Sequence, residues 1–442
     1  MKMIHKIKYA LLLLAVVMVS CEVESVDFEA SNGEADFINF VAVGDSYTAG
    51  YTDGALGLRG QESSFPNIIA GQLTLVGSEG FKQPLVESEG SVSGDGTGYY
   101  TLQIVNGSLT PVPETGDMGI LGEQVYDASA PIQNLGVPGA KVSHLLAPGY
   151  AALNPFFNRF ASDPATSVLT DALAANPTFV SLWVGGNDVL AYALEGGEAD
   201  EVTAPALFAG YYQTVASSIF TGDRKGVVAN IPGIDALPYF NSIAYNALEI
   251  DQAAADQLNA GYADYNTASD MLGLDRIEFV AGANAFVMED QDYPHPGKMR
   301  QIKAGEKVLL AASSGITDPA MGWGSMAPLG AEYVLDEGEV SAIKAATVEY
   351  NHIIGTFADD NDLAHVDLNA LMLRASTTGI LLDGNLYTST FVSGGTFSLD
   401  GVHTTARGSA IIANAFIDAI NKKYDANIPK VNINEFSTVV YP

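Results

Sequence analysis

Short, uninterrupted apolar runs alternate along the chain with longer stretches whose apolar residues recur at helical spacing. The clearest runs are Phe37 to Val43, Thr178 to Val184, Gly226 to Ile231 and Leu363 to Leu368, each rich in Val, Ile, Leu or Phe. A strand that is apolar on both faces is buried on both, the habit of a parallel sheet covered by helices. A weaker strand is expected to end near Asn134. Val340, Ile343, Tyr350 and Ile354 mark one face of a helix, and Ile411, Ala415, Ile417 and Ile420 mark a last helix after Gly408. This alternation predicts an α/β chain.

Two regions break the pattern. Residues 75–130 are rich in Gly, Ser and Pro and hold short β-like pieces such as Tyr99 to Val105. Residues 236–335 hold an Ala-rich helical stretch and then a Gly- and Met-containing segment around Trp323. Loops this long are uncommon in a compact domain unless they serve its site. Both read as insertions that decorate one α/β core and roof its site. A separate second domain is the alternative, with no linker-like boundary to mark it.

The N-terminus follows another rule. Lys2, Lys6 and Lys8 precede an apolar run of ten residues, Ala10 to Val19. Ten helical residues rise about 15 Å, half of a hydrocarbon core of about 30 Å, so the run reads as a secretory signal and not a span. Ser20 offers a small residue before Cys21, the single Cys of the chain. This arrangement resembles a bacterial lipoprotein signal. The resemblance implies lipidation of Cys21 and a membrane anchor at the cell envelope, with the outer membrane expected. An ordinary secretory signal with a chance Cys is the other reading. Residues 21–36 are acidic and short of large apolar residues, as suits a flexible tether.

Composition narrows the function. The chain has 442 residues, 48% hydrophobic, with 20 Tyr, 19 Phe and 2 Trp, enough for a large core and unlike a disordered chain. Acidic residues outnumber basic ones 52 to 20, for a formal charge of −32. Phosphate contacts need clustered Lys and Arg, so nucleic acid is not a partner. Adsorption to anionic lipid is disfavoured for the same reason. One Cys excludes an intramolecular disulfide framework and a Cys-rich metal site. The acidic segment Glu289 to Asp292 lacks the Gly and terminal Glu of an EF-hand loop.

Four short blocks carry candidate chemistry. Gly44-Asp45-Ser46 closes the first strand, where open α/β sheets place ligands; a Ser capping a helix is the plain alternative. Asn134-Leu135-Gly136-Val137-Pro138-Gly139 puts two glycines after a strand, where a bare N–H can face an oxyanion, although a simple turn would use the same residues. Gly185-Gly186-Asn187-Asp188 offers the Asn187 amide as a donor, or an Asn-containing turn. Asp400-Gly401-Val402-His403 spaces a carboxylate and an imidazole about one helical turn apart, close enough to pair, or merely caps the following helix.

The ordered set, spanning Phe37 to the final helix, resembles the GDSL-type SGNH hydrolases, a family of esterases and lipases. The resemblance implies a three-layer α/β/α sandwich with a central parallel sheet of about five strands, related to the flavodoxin-like fold. It implies a serine esterase or lipase with an ester substrate and no metal or organic cofactor, and one hydrolase domain over residues 37–442. Ser46 would be the nucleophile, His403 the general base and Asp400 its orienting carboxylate. The oxyanion hole would comprise the N–H groups of Ser46 and Gly139 and the side-chain amide of Asn187. Gly139 is preferred to Gly136 from its spacing after Asn134. Tyr47 stands where the family's name has Leu, a position the resemblance leaves outside the mechanism.

The remaining histidines read plainly: His352 toward solvent, His365 beside Asp367 without the Asp-x-x-His spacing, His295 in a loop and His144 as structural near the site. A carbohydrate esterase acting on acetylated glycans uses the same residues. Leu309, Leu310, Met321 and Trp323 lean toward a longer acyl chain. An acyltransferase replaces water by an alcohol in the second step. A non-catalytic surface binding lipoprotein is the reading from another class.

Overall fold

The computed structural model describes residues 29–442, apart from Glu89, Asp95, Thr97, Asn106 and Pro319. The expected signal, Cys21 and the first half of the acidic tether, to residue 28, lie outside the described residues.

Five parallel strands form the central sheet: β1 (Phe40–Gly44), β2 (Asn134–Gly136), β3 (Phe179–Trp183), β4 (Lys225–Ala229) and β5 (Ala364–Val366). Their order across the sheet is β5-β4-β3-β1-β2, every neighbouring pair parallel. β1 and β3 are buried along their whole length, as two-sided apolar runs require. β2 begins at Asn134 where the apolar pattern had it end. Pro131 upstream lacks the N–H a ladder needs, and pairing starts at Ala42 opposite Asn134.

Helices complete a three-layer α/β/α sandwich. α1 (Ser46–Ala49) follows β1 directly, and α2 (Phe65–Leu73) comes after a single turn of helix at Leu58–Glu62. Beyond β2 come α3 (Val142–Leu146) and α4 (Val168–Ala174), and beyond β3 come α5 (Asn187–Ala193) and α6 (Pro205–Ile219). α7 (Glu337–Asp360) precedes β5, and α8 (Leu368–Thr377) and α9 (Ala406–Tyr424) follow it. One layer pairs α2 with α9, through Phe65 stacked on Phe416 at 4.8 Å between ring centroids. The other packs α3 and α7 on α6, where Phe208 stacks on Tyr350 at 3.9 Å. α7 buries the expected stripe of Val340, Ile343, Tyr350 and Ile354. A reciprocal cap between Asp336 and Glu339 fixes its start. α9 begins two residues before Gly408, because the Thr405 hydroxyl accepts the Gly408 N–H as its cap. Among the described residues no helix is long and apolar enough to cross a membrane.

Both irregular regions carry structure of their own. Residues 75–130 hold the hairpin Tyr100–Val105 and Ser108–Pro113. Residues 236–335 hold helices Gln252–Gly261 and Ala263–Leu272, short antiparallel pairs, and two small apolar clusters separate from the main core. Leu309 is buried in the main core, and the half-buried Trp323 packs on Tyr333 at 4.8 Å beside one of the small clusters, so both side chains make local packing contacts. Their hydrophobicity is spent on local packing, a use the sequence alone does not distinguish from ligand contact.

Candidate active site

The site is built at the carboxyl end of β1. In this sheet β1 lies between β2 and β3, so the chain leaves it toward one neighbour and returns on the other side. Such a switch point opens a crevice at the strand ends. Asp45 caps α1, its carboxylate accepting the Tyr47 N–H at 3.1 Å. Ser46 is therefore not the cap. It occupies the first helical position, and its hydroxyl is left to the partner described next.

That partner arrives from the far end of the chain. His403 Nε2 lies 2.8 Å from Ser46 Oγ, and His403 Nδ1 lies 2.9 Å from Asp400 Oδ2. Asp400 also accepts from the N–H groups of Gly54, Val402 and His403, each at 2.8 Å. Burial alone raises this carboxyl, but the His403 charge, its ring N–H and the backbone donors outweigh it and hold it at about 2. Asp400 is thus ionised and can only accept, which puts the imidazole proton on Nδ1 and leaves Nε2 to accept from Ser46. The spacing from Asp400 to His403 is a tight non-helical turn, through Gly401 at φ 71°, and α9 starts only at Ala406. The carboxylate itself folds that turn by accepting the N–H groups of Val402 and His403, while the Gly401 N–H donates to Ser398 O.

Gly139 sits on the loop after β2 at φ 78°, exposed, with open space where a side chain would project. Its neighbours are pinned. Asn154 Nδ2 donates to Pro138 O at 2.8 Å, Asn187 Nδ2 to Ala140 O at 3.1 Å, and Asp188 accepts the Val142 N–H at 2.9 Å. Among the described residues, the N–H groups of Ser46 and Gly139 donate to no acceptor of the protein. Gly136 serves another purpose: a Cβ there would stand 2.2 Å from Ala49 N, so the glycine lets β2 lie against α1.

All five expected residues, Ser46, Asp400, His403, Gly139 and Asn187, thus belong to segments that end at this face of the sheet. His403 is joined directly to Ser46 and Asp400, while Asn187 bonds to the Gly139 loop. Asn154, Asp188 and Gly54 contribute without having been picked out beforehand. Asn154-Pro155 is a helix-start signal, and Asp188 adjoins Asn187; the Gly54 contact leaves no trace in local sequence. His144 is half-buried, stacked on Tyr150 at 4.8 Å, with Nδ1 accepting the Lys141 N–H. His352 and His365 are exposed, and His295 is buried on Tyr265 in the second insertion. Among the described residues no cluster of three or more His, Cys, Asp or Glu is arranged to hold a metal ion.

A family model described as GDSL-like lipase/acylhydrolase matches residues 40–416. Two solved structures, both of esterases, are similar to the chain. An acetyl xylan esterase is 14% identical over 86% of this chain and 98% of its own, with a TM-score of 0.32. A family 3 carbohydrate esterase of Clostridium thermocellum is 15% identical over 87% and 98%, with a TM-score of 0.30. No curated protein matches the chain.

Proposed function

Because the chain belongs to the GDSL-like lipase/acylhydrolase family, it is an ester hydrolase, and we propose that it works through an acyl-enzyme on Ser46. The observation that carries this reading is the line of hydrogen bonds from Ser46 Oγ through the imidazole to Asp400, at 2.8 and 2.9 Å. Ser46 Oγ attacks the ester carbonyl carbon while His403 Nε2 takes its proton. The C–O bond to the alcohol then breaks, and His403 returns the proton to the departing oxygen. Water repeats the sequence on the acyl-enzyme, with His403 again as base, and releases the acid.

The oxyanion of each tetrahedral intermediate is assigned to the N–H groups of Ser46 and Gly139 and the amide of Asn187. Two features support the assignment: both N–H groups lack a protein acceptor among the described residues, and the Gly139 loop is held by side chains on either flank. Each such donor is worth roughly 3 kcal/mol in the transition state.

The test is hydrolysis of nitrophenyl esters from acetyl to long-chain acyl by the chain from residue 22 onward, beside Ser46→Ala. Activity lost in that variant supports the reading, and the chain-length optimum separates an acetyl esterase from a lipase. Hydrolysis that survives in Ser46→Ala sinks it. We also propose that Cys21 carries a lipid that holds the enzyme at the cell envelope. Lys2, Lys6 and Lys8, the apolar run to Val19 and Ser20 support this.

A further inference from the structure

We propose that Tyr47 is a positioning residue for the base, tying the segment that carries Ser46 to the turn that carries His403. The proposal rests on the serine-esterase reading above. Tyr47 is buried, and its hydroxyl donates to Val402 O at 2.7 Å, across 355 residues of sequence. The same peptide unit is held at its other end, where the His403 N–H donates to Asp400 Oδ1 at 2.8 Å. Both polar atoms of the Val402–His403 peptide are therefore occupied, so the root of the imidazole cannot rotate without breaking a bond. Two consecutive residues of the first segment, Ser46 and Tyr47, bond to two consecutive residues of the second, His403 and Val402.

The ring supplies a second restraint. It lies 5.2 Å from the His403 ring and stacks on Trp183 at 4.6 Å, and Trp183 is the last residue of β3, the strand that leads to Asn187. One side chain thus touches the segments of the nucleophile, the base and an oxyanion donor. A Leu at this position would fill part of the space but could not donate to Val402. The tie therefore depends on the hydroxyl and not on the bulk of the side chain.

Tyr47→Phe removes only the hydroxyl. It is expected to lower kcat on nitrophenyl acetate about tenfold with KM within twofold, because an imidazole that drifts slows proton transfer without altering substrate binding. Tyr47→Leu should fall at least as far. Tyr212→Phe is the control: it removes another buried phenol hydroxyl, one with no hydrogen-bond partner and packed on Phe208 and Phe357, and should leave kcat unchanged. A merely structural loss would lower the melting midpoint and leave kcat per folded molecule intact. A second readout needs no turnover: the downfield proton resonance of the His403–Asp400 hydrogen bond, sharp in the wild type, should broaden or vanish in both Tyr47 variants. Wild-type kcat in Tyr47→Phe or Tyr47→Leu, or an unchanged resonance, overturns the proposal. A wild type without esterase activity overturns the underlying reading instead, and the resonance still decides whether Tyr47 holds the imidazole.

Discussion

At the scale of single residues, two glycines three positions apart, one ending β2 and one in the loop after it, have opposite duties. Gly136→Ala drives a methyl into the α1 backbone, so it should lower stability, read as a falling melting midpoint. Gly139→Ala meets no neighbour but must hold φ 78°, a cost of about 1–2 kcal/mol that relaxes by turning the loop and its N–H. It should lower kcat while most of the midpoint survives. If Asn187 is the oxyanion donor proposed above, Asn187→Ala should cost on the order of 10²- to 10³-fold in kcat, measured at saturating ester. Titration gives a further handle. Burial pushes the Asp45 carboxyl up to about 7, despite the Tyr47 N–H and the His403 charge. A folded value above the unfolded one means stability that is complete below about pH 4 and lost as pH rises through 7, at about 1.4 kcal/mol per pH unit within that window. Asp400, held at about 2, acts oppositely and withdraws stability only as pH falls below about 4. Asp45→Asn should therefore raise the melting midpoint at pH 8 and flatten its slope between pH 5 and 8. Glu339, raised by burial to about 7, leaves a remaining slope of the same sign.

At the scale of elements, four of the five strands and the helices α7 and α9 were legible because two-sided burial and a 3.6-residue stripe leave strong marks in sequence, whereas the three-residue β2 was expected to end where it begins. The order of the strands was not, since β2 and β3 both pair with β1 through contacts across more than ninety residues. The Asp400–His403 spacing announced a pair but not its conformation: a three-residue interval fits a helical turn as well as the Gly401 turn that forms. Gly54 and Tyr47 escaped as contributors because their contacts with the Asp400 turn are made only by tertiary packing. Long-range attachment of this kind also fixes the first insertion. Arg159, whose side chain is wholly buried, donates to the carbonyls of Pro84 and Leu85 and to Glu123 at 2.9–3.1 Å, all in or beside that insertion. Burial lowers its pKa, and Glu123 opposes the shift. Glu123→Ala leaves a buried guanidinium without its carboxylate and should destabilise by about 3 kcal/mol, visible as a lower denaturant midpoint. Phe156, three residues before Arg159, packs edge-on against Tyr51 at 6.1 Å, and Tyr51 lies 4.8 Å from the His403 ring. Activity should therefore fall with the midpoint.

At the scale of the whole molecule, the charge of −32 acts on whatever approaches. The field favours neutral and cationic esters and repels anionic ones, and salt screens it over about 10 Å at 0.1 M. Between low and moderate ionic strength, kcat/KM should fall for an ester carrying a quaternary ammonium and rise for its carboxylate analogue; equal salt responses would exclude steering. The anchor proposal belongs to the same scale. Cys21→Ser should move the protein from the membrane fraction of a bacterial host to the soluble one and abolish incorporation of labelled palmitate.

Ser46 and His403 meet across 357 residues of sequence. A chain emerging from the ribosome carries its serine first and reaches the proposed base only 357 residues later. On the proposed mechanism, a product that stops before His403 lacks that base and is expected to be inert. The linear distance between the two residues thus sets a delay between making the proposed nucleophile and completing its site.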